Sequence, residues 1–196
     1  MLSKKAASRY PLHPLIEKRW SPVIFDTREI EAEKIGSLLE AARWAPSCFN
    51  DQPTTFIVAS TPESRTEFLK ILVPQNREWA QHAPVLMLSV ARLTFTHSGK
   101  SNRHALHDAG LAMENLALQA VAMDLIAHQM AGFDPLLARE IYAIPEDHEP
   151  VTVVAVGYHG DDKNASETQK QRDASPRSRK PLEEIAFVHK FGERYY

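Results

Sequence analysis

The 196-residue chain sets 23 Lys and Arg against 25 Asp and Glu, and a net charge of -2 argues against a whole-surface basic footprint for nucleic acid or an acidic solvating tail. Its length, with 43% hydrophobic and 24% charged residues, predicts one globular domain over residues 1–196, able to bury about 70% of its unfolded surface. A single Cys excludes an internal disulfide, and the seven glycines form neither GxGxxG nor GxxxxGK[ST], so any bound phosphate must be held by other groups.

Residues 1–10 are polar, with three basic side chains and no apolar stretch behind them, and read as a frayed or helical start. No run approaches 18 apolar residues, so the expected compartment is the cytoplasm. No repeat or low-complexity run divides the chain. Residues 12–18 predict a short helix, and Pro22 then forces a turn into the extended pair Ile24 and Phe25. Asp26 or Thr27 can cap the next helix, since Ile30, Ile35, Leu38, Leu39 and Ala42 recur at helical spacing and Pro46 stops the run.

Residues 45–53 contain two prolines and no periodicity, a loop. Residues 54–60 are β-branched and aromatic, a strand, and Thr61 with Pro62 opens a helix to residue 72. A buried strand follows at 84–91, then a polar loop at 94–102. From residue 103 or 105 to about 129, apolar or small residues cover the whole circumference of one long helix, which therefore needs a buried environment or a subunit interface. Gly132 ends a turn, Asp134 can cap a helix closed by Pro145, and 149–158 is the clearest strand. The remainder is polar, apart from a short amphipathic segment at 182–187. This order of elements predicts a mixed α/β or α+β layer protein.

Four places carry candidate chemistry. Arg19 and Ser21 could hold a phosphate from one side of an extended turn, or form a solvated surface turn. The loop with Pro46, Ser47, Cys48 and Asn50 could line a polar ligand or merely connect a helix to a strand. Cys48 has no nearby His in sequence to activate it and fits a packed thiol better than a nucleophile. His104 and His107 lie at i, i+3 with Asp108 beside them and His97 and His128 elsewhere, which makes a metal-dependent hydrolase one alternative; the HxxHD spacing matches no zinc motif. Residues 170–180 carry a net +4, a solvated charge run or, through Arg177 and Arg179, an anion clamp.

In combination these features resemble the nitroreductase family of FMN-dependent oxidoreductases. The resemblance rests on Arg19-Trp20-Ser21-Pro22-Val23-Ile24-Phe25, on Ala45-Pro46-Ser47-Cys48-Phe49-Asn50-Asp51-Gln52-Pro53, and on Asn76 followed by Ala83-Pro84. Asp108 with Gly110, Glu114-Asn115-Leu116, Gly132-Phe133-Asp134 and Arg177-Ser178-Arg179-Lys180-Pro181 complete it, in order from about residue 12 to 190. It implies an α+β, three-layer fold with a mixed, mostly antiparallel sheet flanked by helices, in an intertwined homodimer whose C-terminal segments (159–196) cross to the partner.

It also implies that Arg19, Trp20, Ser21, Arg177 and Arg179 surround the FMN phosphate and ribityl chain. Pro46, Ser47, Cys48 and Asn50 of the opposite subunit would line the isoalloxazine, Asn76 would bond its pyrimidine edge, and the backbone of Ala131 and Gly132 would reach N5. The implied activity is ping-pong passage of hydride from NAD(P)H through N5 to an electron-poor acceptor such as a nitroaromatic, quinone or enone. No catalytic side chain is then required, because the cofactor supplies the chemistry. The family also includes dehalogenases and flavin-degrading enzymes, and no inserted lid between Gly99 and Arg103 points to either.

Two departures bear on redox tuning. Val23 and Trp20 stand where the family commonly has cations, which implies a weaker oxidant, or flavin binding with little turnover, unless Arg77 or another cation substitutes. Trp79 stands where some members place a flavin-contacting Lys.

Overall fold

The structure, a computed structural model, describes residues 4–195. Seven helices and five strands follow in the order α1 (Pro14–Lys18), β1 (Phe25–Asp26), α2 (Ala32–Arg43), β2 (Thr54–Ala59), α3 (Pro62–Leu69), α4 (Pro74–Ala80), β3 (Val85–Arg92), α5 (Ala105–Ala122), β4 (Ile126–Met130), α6 (Pro135–Tyr142), β5 (His148–His159) and α7 (Glu167–Ala174), among the described residues. Short 3-10 turns occupy Cys48–Asn50, Asp162–Asn164 and Leu182–Glu184.

β5 is the central strand. It pairs with β3 along one edge and β4 along the other, β2 extends the sheet from β3, and β1 meets the last two residues of β5. Every one of these pairings is antiparallel, so among the described residues the sheet within one chain is not mixed.

Successive side chains of a strand point to opposite faces, and here both faces are covered. Leu86, Leu88, Val153 and Ala155 pack with Phe68, Trp79 and Ala138 of α3, α4 and α6. Val85, Met87, Val154 and Val156 pack with Leu38 of α2 and Met113, Leu116 and Ala120 of α5. This three-layer arrangement explains why β3 reads as a continuous apolar run rather than an alternating one.

Several boundaries differ from expectation. The long helix ends at Ala122, and residues 126–130 form β4 instead of its last turns. Asp124 adopts a left-handed φ of 57°; its N–H donates to the Val121 carbonyl and that of Leu125 to the Ala120 carbonyl, the closing bonds of a Schellman turn. α2 begins after Glu31, not at Asp26 or Thr27, because Asp26 is taken into β1 and its carboxylate accepts from the Arg28 N–H. Helices α4 and α7 occupy segments without recognised periodicity. α3 stops at Leu69, ahead of the expected residue 72.

The first ten residues fall partly outside the described chain, at 1–3. From Lys4 onward the segment is irregular, but the Ala6 N–H donates to the Glu17 carbonyl and the Lys4 ammonium to that of Ser175. No helix among the described residues is long and apolar enough to cross a membrane.

Candidate functional site

Two ends of the chain meet beside β1. The Asp173 side chain, 2% exposed, accepts the Val23 N–H at 3.0 Å and the Ile24 N–H at 3.3 Å, which ties α7 to the segment leading from Arg19 into β1. Four residues further on, Arg177 Nη1 donates to the carbonyls of Lys4 at 2.6 Å and Glu17 at 2.8 Å, the latter in α1. Burial, and then repulsion from the guanidiniums of Arg19 and Arg179, push Arg177 below the usual arginine range. Of the three cations predicted from opposite ends of the sequence, Arg177 therefore lies within the field of the other two. Glu114 of α5 approaches this group at 3.7 Å from Arg19 Nε.

Trp20 and Ser21 lie in the same stretch. The Lys4 ammonium sits 4.5 Å from the Trp20 ring centroid, and Trp20 lies against His159 with ring centroids 5.8 Å apart. Ser21 is exposed.

A second cluster forms where β4 ends. Gly132 accepts at its carbonyl from the Val73 N–H and from Asn76 Nδ2, both at 3.1 Å. A Cβ on Gly132 would lie 2.5 Å from Asn76 Nδ2 and 2.9 Å from Val73 Cγ2, so a side chain there would displace Asn76 or Val73. Asn76 lies on α4, which Pro74 starts at a position where its missing N–H would have had no partner. Ala131 is exposed beside Gly132.

His128 connects the two clusters. Buried on β4, its Nδ1–H donates to the Pro22 carbonyl at 2.9 Å, and Nε2 faces Arg172 Nη2 at 3.4 Å. Its ring packs against Trp79 of α4 with centroids 4.5 Å apart. Burial, with Arg172 adding to it, lowers its pKa to about 4, so the ring is neutral and can accept from Arg172. Trp79 is 3% exposed and also stacks on Phe25, so its ring belongs to the core and not to a ligand edge.

The loop at 46–53 is held elsewhere. Its Cys48 N–H donates to the buried Asp108 carboxylate of α5 at 3.0 Å, and Ser47 Oγ accepts the Gln52 N–H at 3.0 Å. Phe49, Asn50 and Gln52 all take left-handed φ angles of 51 to 55°. Asp51 accepts the Thr96 N–H at 2.8 Å and pairs with Arg92 at 2.9 Å, joining the loop to the segment after β3. Pro46 and Asn50 are exposed. Cys48 thus fastens the loop to α5, and Asp51 fastens it to the residues after β3. A cleft of about 180 Å³ lies between this loop, α2 and Asp108.

The remaining candidates do not converge. Asp108 holds the Cys48 N–H and faces His107 Nδ1 at 3.2 Å, while His104 precedes α5 as its cap. Among the described residues no group of three or more His, Cys, Asp or Glu could hold a metal ion. Arg77 Nη2 donates to the Leu72 carbonyl at 2.9 Å. Val23 is 1% exposed within the core, so a cation at that position would be buried.

Sequence reasoning missed Asp173 and His128 as organisers of this region. A signal existed for the first: Ser166 and Gln169 form a capping box, the start of the helix that carries Asp173.

Fold and site together define a class. The nitroreductase family profile matches residues 16–81 and 71–158, and the chain belongs to that family. It is similar to a solved oxidoreductase containing FMN, with 33% identity and a TM-score of 0.91 over 99% of this chain and 100% of the other. A nitroreductase family protein of Clostridium difficile shares 26% identity at a TM-score of 0.70, over 90% of this chain and 96% of that one. Among curated proteins, Protein DrgA of Synechocystis is 29% identical over 89% of this chain and 94% of its own length. An uncharacterized 15.4 kDa protein of Mycolicibacterium smegmatis is 36% identical over 62% of this chain and 80% of its own length.

Proposed function

We propose that the protein is an FMN-dependent oxidoreductase that takes hydride from NAD(P)H and delivers it to an electron-poor acceptor, a nitroaromatic, quinone or enone, by a ping-pong cycle in a homodimer. The observation that carries this reading is the meeting of the two ends of the chain: Arg177 is bonded to the Glu17 carbonyl, two residues before Arg19, and feels the charges of both Arg19 and Arg179, which supplies positive charge suited to a phosphate. Gly132 lets Asn76 pack against the backbone beside the exposed Ala131, which fits the edge of a ring system bordered by these residues. The similarity to an oxidoreductase containing FMN supports the cofactor, and the words NADH dehydrogenase/NAD(P)H nitroreductase in the name of an Archaeoglobus fulgidus relative support the reductant.

Bound FMN would supply the two-electron chemistry. Within the chain, Arg19, Arg177 and Arg179 would fix the phosphate, with Ser21 as a further donor and Trp20 covering the approach. Asn76 would turn its amide to the pyrimidine edge, and the Ala131 and Gly132 backbone would border the reactive face. The resemblance assigns the loop with Pro46, Ser47, Cys48 and Asn50 to the opposite subunit, so the partner subunit's copy would complete the site. Cys48 contributes no free backbone donor there, since its N–H is committed to Asp108.

Purified protein is expected to be yellow with an FMN spectrum, to bleach with NAD(P)H without oxygen, and to recover when a quinone is added. A colourless protein that cannot be reconstituted with FMN would overturn the reading. Bound flavin that NAD(P)H leaves unbleached would reduce it to flavin binding without turnover.

A further inference from the structure

Resting on this reading, we infer that Asp173 is a positioning residue for the phosphate clamp: its buried carboxylate locks the two strands of chain that carry the clamping arginines into one rigid unit. The carboxylate accepts from two successive backbone N–H groups, Val23 and Ile24, with Val23 N at 3.0 and 3.3 Å from its two oxygens. Those N–H groups lie four and five residues past Arg19. On its own side, Asp173 precedes Arg177 by four residues and Arg179 by six. This side chain, together with the bond from Arg177 to the Glu17 carbonyl, therefore sets the separation of Arg19 from Arg177 and Arg179, where no glycine loop exists to do so. Extended backbone at Ser175, followed by Pro176, keeps the linker from Asp173 to Arg177 stiff. His159 Nε2 stands 3.9 Å from the same carboxylate, and its ring touches Trp20, so the other side of the unit is braced as well.

The sign of the effect separates positioning from electrostatics. Asp173 is an acid close to a site for an anion, and a purely electrostatic view predicts that neutralising it tightens phosphate binding. Positioning predicts the reverse, because Asn offers one acceptor oxygen where the carboxylate offers two and turns an NH2 toward the backbone donors.

The test compares FMN with riboflavin, which lacks the phosphate. Affinities are measured by flavin fluorescence quenching on apoprotein from the wild type and Asp173→Asn. The expected result is an FMN Kd raised about tenfold while the riboflavin Kd stays within about twofold. Equal losses for both ligands would show a general folding defect and overturn the inference, as would an unchanged or tighter FMN Kd. Pro176→Gly, at an exposed position, serves if Asp173→Asn does not fold: a selective loss of FMN affinity supports the same role, and none overturns it. A wild type that binds no flavin defeats the proposed function itself, whereas a wild type that prefers FMN, with variants that keep the preference, defeats only this inference.

Discussion

His128 shows how one residue can record its surroundings in the pH dependence of the whole fold. Burial lowers its pKa to about 4 from an ordinary value of 6.5, so between those values the unfolded chain binds a proton that the folded chain refuses. Stability from this group is complete above about pH 6.5 and is lost as the pH falls toward 4. At about 1.4 kcal/mol per pH unit, the loss is on the order of 3 kcal/mol. Burial raises the pKa of Asp173 and gives the opposite slope, with stability declining as the pH rises above the ordinary carboxylate value, so the wild-type profile mixes the two. His128→Gln retains a donor for the Pro22 carbonyl but does not titrate. Urea unfolding of this variant is expected to give a shallower decline between pH 6.5 and 4 than the wild type, and parallel curves would refute the assignment.

At the scale of elements, the end of α5 marks the limit of what the residues disclosed. Periodicity alone carried the helix on to residue 129, because Met123, Asp124 and Leu125 include neither of the residues that punctuate helices most strongly, Gly and Pro. Asp124 does the work of a C-terminal glycine, and β4 behind it is apolar enough to imitate further helical turns. α4 and α7 were missed for a different reason, since seven or eight residues with weak amphipathicity are held by packing and caps rather than by pattern. The strands at 54–60, 84–91 and 149–158 were legible because β-branched runs between turn residues have few rival readings. The Schellman turn makes a prediction of its own. Asp124→Val puts a β-branched residue at positive φ and is expected to destabilise the fold by about 1–2 kcal/mol, with Asp124→Gly neutral or stabilising. Equal midpoints for the two variants in chemical denaturation would contradict the left-handed cap.

For the molecule as a whole, the near-zero charge hides a division of labour between a basic tail and an apolar helix face. The arginine cluster was partly legible, as a cation and a hydroxyl at i, i+2 near the start (Arg19, Ser21) and two cations at i, i+2 near the end (Arg177, Arg179), but its assembly depends on Asp173, which composition counted only as one acid among basic residues. One face of α5 carries Leu106, Gly110, Glu114 and Leu118 at four-residue spacing; Leu106 is 51% exposed, and the inward face packs on the sheet. Ile185 and Phe191 in the tail are 63% and 95% exposed. Under the proposed function, a second copy of the chain would cover both surfaces and bring its loop at 46–50 toward the arginine cluster of the first, joining the proposed flavin site to this helix face. Leu106→Glu combined with Leu118→Glu places two like charges on that face at an exposed and a half-buried position. Sedimentation is expected to show the wild type as a dimer and the double variant as a folded monomer, and FMN retention is expected to fall with the dimer because the partner's loop leaves with it. A monomer that keeps its FMN would place the whole site within one chain and remove the reason for the second copy.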